Sequence, residues 1–138
     1  LVGPAAAEDG IRDIAVYDNM GPPTFTQFGG VEALRNGEDF IRDQVGLWRS
    51  NMEYMTGRFE RHNRIEFHAP DATFYGFFRV EGEPDCMAFA KRLIDDVGLG
   101  LAPGCSFGTA GTGYMRMCFA VSEERLSEAL DRLERALI

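Results

Sequence analysis

One lysine, Lys91, and two histidines, His62 and His68, are all that 138 residues contain of those two types. Fourteen lysines and arginines against 22 acidic residues leave a net charge of −8, which repels phosphate backbones. No basic stripe or interleaved aromatic patch offsets this locally, so nucleic acid and anionic membranes are excluded as partners. No apolar run approaches the roughly 18 residues that a membrane span requires, and no basic segment leads into an apolar one as in an export signal. The three cysteines, Cys86, Cys105 and Cys118, are odd in number and lack the close pairing of zinc sites, which excludes a disulfide framework and points to a reduced, cytoplasmic setting. Neither histidine stands with a serine, cysteine or carboxylate in the spacing of a nucleophilic triad or a metal site, and surface or capping roles are expected for both.

What is present is the composition of a packed protein. Hydrophobic residues make up 45% and aromatics 12%, while the charged 26% is spread along the chain and gathers into no tail, so a globular core is expected. The chain opens on Leu1 without a methionine, as expected of a processed or cut piece.

Residues 5–16 fit a short helix, 18–23 (Asp-Asn-Met-Gly-Pro-Pro) a loop, and 24–34 a second helix weakened by Gly29 and Gly30. From Glu38 to His62 the apolar residues Ile41, Val45, Trp48, Met52, Met55 and Phe59 recur at spacings of 4, 3, 4, 3 and 4, one helical stripe. A helix of that extent is about 36 Å long. Residues 65–67 and 73–80 read as strands. Asp85 caps a helix whose buried face is Cys86, Ala90, Leu93, Ile94 and Val97, with Gly98 as its left-handed terminator. Residues 99–102 read as a brief strand, 103–113 as a glycine-rich connection, and 114–121 as a strand with Met115, Met117, Phe119 and Val121 on one face. Ser122 caps a last helix that buries Leu126, Ala129, Leu130, Leu133 and Leu137, with Glu128–Arg132 and Asp131–Arg135 as i,i+4 pairs. The order predicts an α+β fold, a small antiparallel or mixed sheet covered by helices and preceded by a long linking helix.

Arg116 is the residue that most needs a chemical explanation. A permanently charged guanidinium in the middle of an apolar strand requires an anion, and a planar carboxylate is its best geometric match. From the pattern alone an Asp or Glu of the fold is favoured over a ligand, and both stay open. Gly108–Gly113 lacks the following Lys-Ser or Lys-Thr of a phosphate loop and leads into a strand, so it reads as a structural turn. Lys91 lies off the apolar stripe of its helix, solvated, where no catalytic amine would be desolvated.

Four blocks carry a family likeness: Phe74-Tyr75-Gly76-Phe77-Phe78, Gly98 through Gly108 (GLGLAPGCSFG), Gly113-Tyr114-Met115-Arg116-Met117-Cys118-Phe119-Ala120, and Ser122-Glu123-Glu124-Arg125-Leu126. In this order they resemble the carboxyl-terminal part of class I/II aminotransferases of pyridoxal-phosphate (PLP) fold type I. Leu1-Val2-Gly3-Pro4 is similar to the segment just after that family's lysine region, and Gly21 through Gln27 to the loop and helix that follow.

The resemblance implies that Arg116 binds the α-carboxylate of an amino-acid substrate. It implies that residues 1–36 are the tail of the large PLP-binding domain, 37–64 the long linking helix, and 65–138 the small carboxyl-terminal domain. It further implies amino transfer between an amino acid and a 2-oxo acid, and a homodimer in which the loop at 19–22 approaches the partner's site. The family's Schiff-base lysine, its pyridine-nitrogen aspartate and its phosphate ligands find no counterpart in the chain, which alone is therefore expected to be inactive. The competing expectation is a stand-alone α+β module that uses Arg116 to hold a small carboxylate.

Overall fold

The computed structural model describes residues 3–138, so Leu1 and Val2 of the first resemblance block lie outside the described residues. The chain divides into two compact units, Leu1–Arg42 and Asp43–Ile138. In the first, a 3-10 turn at Ala5–Ala7 leads into α1 (Glu8–Asn19), where Arg12 reaches back to Glu8 at 2.7 Å and Asp9 at 3.2 Å. The expected loop begins two residues late: α1 runs through Asp18 and Asn19, and it is Met20, left-handed at φ 47°, that ends it. Pro22 and Pro23 then prevent continuation, and α2 (Thr24–Asn36) starts directly after them, extending past Leu34 and absorbing both glycines. Neither helix buries a single residue.

The long helix α3 (Glu38–Phe59) forms as the stripe predicts but ends at Phe59, three residues before His62, for a length of about 33 Å. Its stripe is used unevenly. Met55 and Phe59 are buried and Trp48 and Met52 partly so, whereas Ile41 and Val45 are exposed.

The sheet of the second unit has four antiparallel strands in the order β1-β2-β4-β3, formed by β1 (Ile65–Phe67), β2 (Tyr75–Val80), β3 (Ala102–Pro103) and β4 (Tyr114–Cys118). Alternation along β2 and β4 sends Phe78, Val80, Met115 and Met117 inward. There they join Met55 and Phe59 of α3, Phe89 and Leu93 of α4 (Cys86–Val97), and Leu126, Leu130 and Leu133 of α5 (Glu123–Ala136) in one hydrophobic core. The α+β architecture with a helix-covered sheet is as expected, and its pairing is wholly antiparallel.

Several boundaries differ for local reasons. β2 starts at Tyr75 because Thr73 sits at φ 80°, a left-handed conformation that a β-branched residue rarely adopts and that breaks the ladder. The expected strand at 99–102 shrinks to Ala102–Pro103, since the Leu99 N–H donates to Leu93 O and closes the end of α4. Asp85 does cap α4, accepting from the Met87 and Ala88 N–H groups, and Gly98 ends it at φ 64°. Ile94, expected in the core, is 55% exposed; the buried stripe runs through Phe89 instead. Arg132 pairs with Glu128 at 2.6 Å as expected, and it also donates to Val97 O and Gly98 O, a cation at the end of α4. Asp131 bonds to Arg58 across the α3–α5 contact in place of Arg135.

β4 is shorter than predicted, and the reason is Asn51, a buried polar residue on α3. Its amide donates to Phe119 O at 2.8 Å and Val121 O at 2.9 Å, capturing the carbonyls just past the strand end. Asn51→Leu keeps the volume but leaves both oxygens without a donor, an expected loss of about 2–3 kcal/mol in urea unfolding. A change below about 0.5 kcal/mol, the level of a neutral surface substitution, would show that water replaces the amide freely.

Arg58 holds the α3–α5 contact electrostatically, with its guanidinium 2.7 Å from both Asp131 and Glu134. The hydrogen bond from Arg58 keeps Glu134 below the usual carboxylate range, and His62, 3.2 Å away, adds to the effect. A carboxylate depressed by folding contributes stability that is present above its unfolded value near ~4.3 and is lost as pH falls through the lower folded value. Arg58→Ala is therefore expected to cost about 1–2 kcal/mol at neutral pH and markedly less at pH about 3, read from urea midpoints. Equal costs at both values would contradict the ion-pair assignment.

Candidate carboxylate site

β4 is an inner strand, with β2 on one side and β3 on the other. With Met115 and Met117 committed to the core, the alternation turns Arg116 onto the opposite face, where its cross-strand neighbours are Phe77 and Ala102. The guanidinium carbon lies 4.2 Å from the centroid of the Tyr75 ring and 3.9 Å from that of Phe107. Stacking engages the faces of a guanidinium and leaves its in-plane N–H donors free. Among the described residues no carboxylate forms an ion pair with Arg116. Among the described residues, then, the fold partner that the pattern alone favoured is not found, and the unpaired donors suit an anion.

Phe107 comes from the glycine-rich connection, which is two consecutive 3-10 turns, Gly104–Phe107 and Thr109–Gly111. Gly104 and Gly111 pass so closely that a Cβ on either would overlap the other's carbonyl oxygen. Gly108, at φ 118° and ψ 171°, joins the turns in a conformation essentially confined to glycine. A strand and not a helix follows the segment, as the sequence indicates.

A second stack continues along the same sheet face. Phe77 and Tyr114 lie nearly parallel, with centroids 5.1 Å apart, and the Arg79 guanidinium lies 4.6 Å above Tyr114. The remaining candidate residues lie apart from this. Lys91 is exposed on α4, His68 is exposed after β1, and His62 pairs with Glu134. All three cysteines are free thiols.

The sequence pattern of aminotransferase class I and II matches residues 1–133. The chain belongs to this family. An LL-diaminopimelate aminotransferase from Nitratidesulfovibrio vulgaris is 31% identical over 122 residues, covering 87% of this chain and 31% of the relative. The aspartate aminotransferase structure from Thermotoga maritima superposes with a TM-score of 0.71 at 32% identity, covering 83% of this chain and 28% of that one. A PLP-dependent aminotransferase from Streptococcus suis shares the fold over 99% of this chain and 36% of its own, with a TM-score of 0.82 at 20% identity. The chain spans about a third of the length of the curated relatives it matches.

Membership in the aminotransferase family implies pyridoxal phosphate, a cofactor that binds through a lysine amine. The residues of this aminotransferase segment do not fit that task, because Lys91, the sequence's sole lysine, is exposed on α4. No helix among the described residues is long and apolar enough to cross a membrane.

Sequence reasoning found Arg116 but not its setting. In the sequence Tyr75 reads only as part of the strand at 73–80 and of a family-like block, and Phe107 only as part of the glycine-rich connection and of a family-like block. The available signal was an aromatic between glycines, a few residues before a strand carrying an arginine.

Proposed function

We propose that this chain is the carboxyl-terminal part of a PLP-dependent aminotransferase that moves an amino group between an amino acid and a 2-oxo acid, and that Arg116 binds the substrate's α-carboxylate. The observation that carries this reading is the Arg116 guanidinium itself, set against the rings of Tyr75 and Phe107 with no carboxylate of the described fold to neutralise it. A bidentate pair with a carboxylate would orient the substrate and hold its α-carbon in a constant place for chemistry supplied by residues outside this segment. The cofactor, when bound, supplies the electron sink.

The same reading assigns residues 1–36 to the tail of the large domain, 37–64 to the linking helix and 65–138 to the small domain. Its support is the first unit's exposed apolar surface: Tyr17, Phe25, Phe28 and Leu34 are all exposed although aromatic or aliphatic. Such a surface asks for a packing partner, either more of the same polypeptide or a second subunit of a homodimer. The free thiols suit a cytoplasmic setting.

The test is amino transfer by the full-length, cofactor-loaded gene product. Conversion of a 2-oxo acid into its amino acid at the expense of a second amino acid supports the reading. Carboxylate binding by a full-length product that has no cofactor absorbance and no transfer activity would replace it with a binding module.

A further inference from the structure

We propose that Phe107 is a positioning residue for carboxylate recognition: held by the glycine-rich turn, its ring closes one face of the Arg116 guanidinium while Tyr75 closes the other, so that planar carboxylates are selected over tetrahedral anions. The inference rests on the reading of Arg116 as the carboxylate's partner and adds to it what sets the shape of the opening.

Burial does not explain where Phe107 sits. The residue is 51% exposed, outside the hydrophobic core, yet its ring centroid lies 3.9 Å from the guanidinium carbon of Arg116. A free phenylalanine side chain in a surface turn gains little from such a place unless the backbone delivers it there. The turn is built to do so. The interlocked Gly104 and Gly111, the φ of 118° at Gly108, and the hydrogen bonds from Gly108 N to Cys105 O, Gly111 N to Gly108 O and Thr112 N to Thr109 O fix the backbone on both sides of the aromatic residue. On the other side, Tyr75 is set by its pairing with Cys118 in the β2–β4 ladder.

The consequence is geometric. Five N–H donors of a guanidinium lie in one plane, and with its two faces closed in the way proposed, an anion must approach edge-on. A carboxylate offers two oxygens in that plane. A sulfonate or phosphonate carries a third oxygen out of it, toward one of the rings. The rings also keep water from the faces of the cation, which strengthens the in-plane contact.

The experiment compares the full-length, cofactor-loaded protein with Phe107→Ala, Phe107→Tyr and Arg116→Ala. Competitive inhibition by propionate and by ethanesulfonate is measured beside steady-state kinetics with the preferred amino acid, once that is found by screening. Phe107→Ala is expected to raise KM and the propionate inhibition constant about tenfold, the scale of a lost cation–π contact, with kcat little changed. The preference for propionate over ethanesulfonate should narrow in the same variant, Phe107→Tyr should restore both, and the thermal midpoint should not move. If Arg116→Ala abolishes propionate inhibition while Phe107→Ala changes neither affinity nor anion preference, Phe107 has no such role and the proposal fails alone. If Arg116→Ala also leaves propionate inhibition intact, the reading of Arg116 fails, and this inference falls with it.

Discussion

Arg116→Ala in the full-length enzyme should lower kcat/KM for amino-acid substrates by about 10²–10³-fold, because truncating one side of a desolvated, hydrogen-bonded charge pair costs about 2–5 kcal/mol. Most of the loss should appear in KM, since in the proposed role the pair with the α-carboxylate forms when substrate binds and persists through the reaction. Arg116→Lys should recover only part of it, because an ammonium can neither fork to two coplanar oxygens nor stack as a flat cation on the rings of Tyr75 and Phe107. Stability should be nearly unchanged, for the guanidinium has no carboxylate partner among the described residues whose charge would be stranded by its removal. A purely structural Arg116 predicts the reverse: a fallen unfolding midpoint with KM unmoved.

Phe78→Ala should destabilise the second unit by about 3–5 kcal/mol, a large part of the 5–15 kcal/mol that a typical domain has in total. Phe78 is fully buried on β2, its ring 4.8 Å from that of Phe59, at the place where the long helix meets the sheet. Chemical denaturation of Phe78→Ala beside Ile94→Ala makes the comparison sharp. Ile94 belongs to the core by simple apolar counting, but it is exposed, and its truncation should cost less than about 0.5 kcal/mol. Similar costs for the two would mean that the core is not arranged as described.

These cases also show how far the sequence could be read. The helices α3, α4 and α5 were legible because their apolar residues repeat at the helical period, and Asp85, Gly98 and Ser122 mark ends by chemistry that acts within a few residues. The sheet face of Arg116 was legible because alternation along β4 is local too. What was not legible depends on contacts remote in sequence. Asn51 reaches 68 residues along the chain to Phe119, and Asp131 gives up its neighbour Arg135 for Arg58 on another helix. Ile94 and Leu93 are adjacent apolar residues, and only the packing of α4 decides which one faces inward. Phe107 over Arg116 is of the same kind: the ring's place is set by two glycines seven residues apart that touch in space.

The proposed function stands or falls on the intact mass of the native gene product measured together with its visible absorbance. The expected product is a polypeptide about three times the length of this chain, in keeping with the third of its relatives that the chain spans, and yellow from a lysine-bound cofactor. A colourless product of about 138 residues would contradict it and leave Arg116 as the anchor of a small carboxylate-binding module.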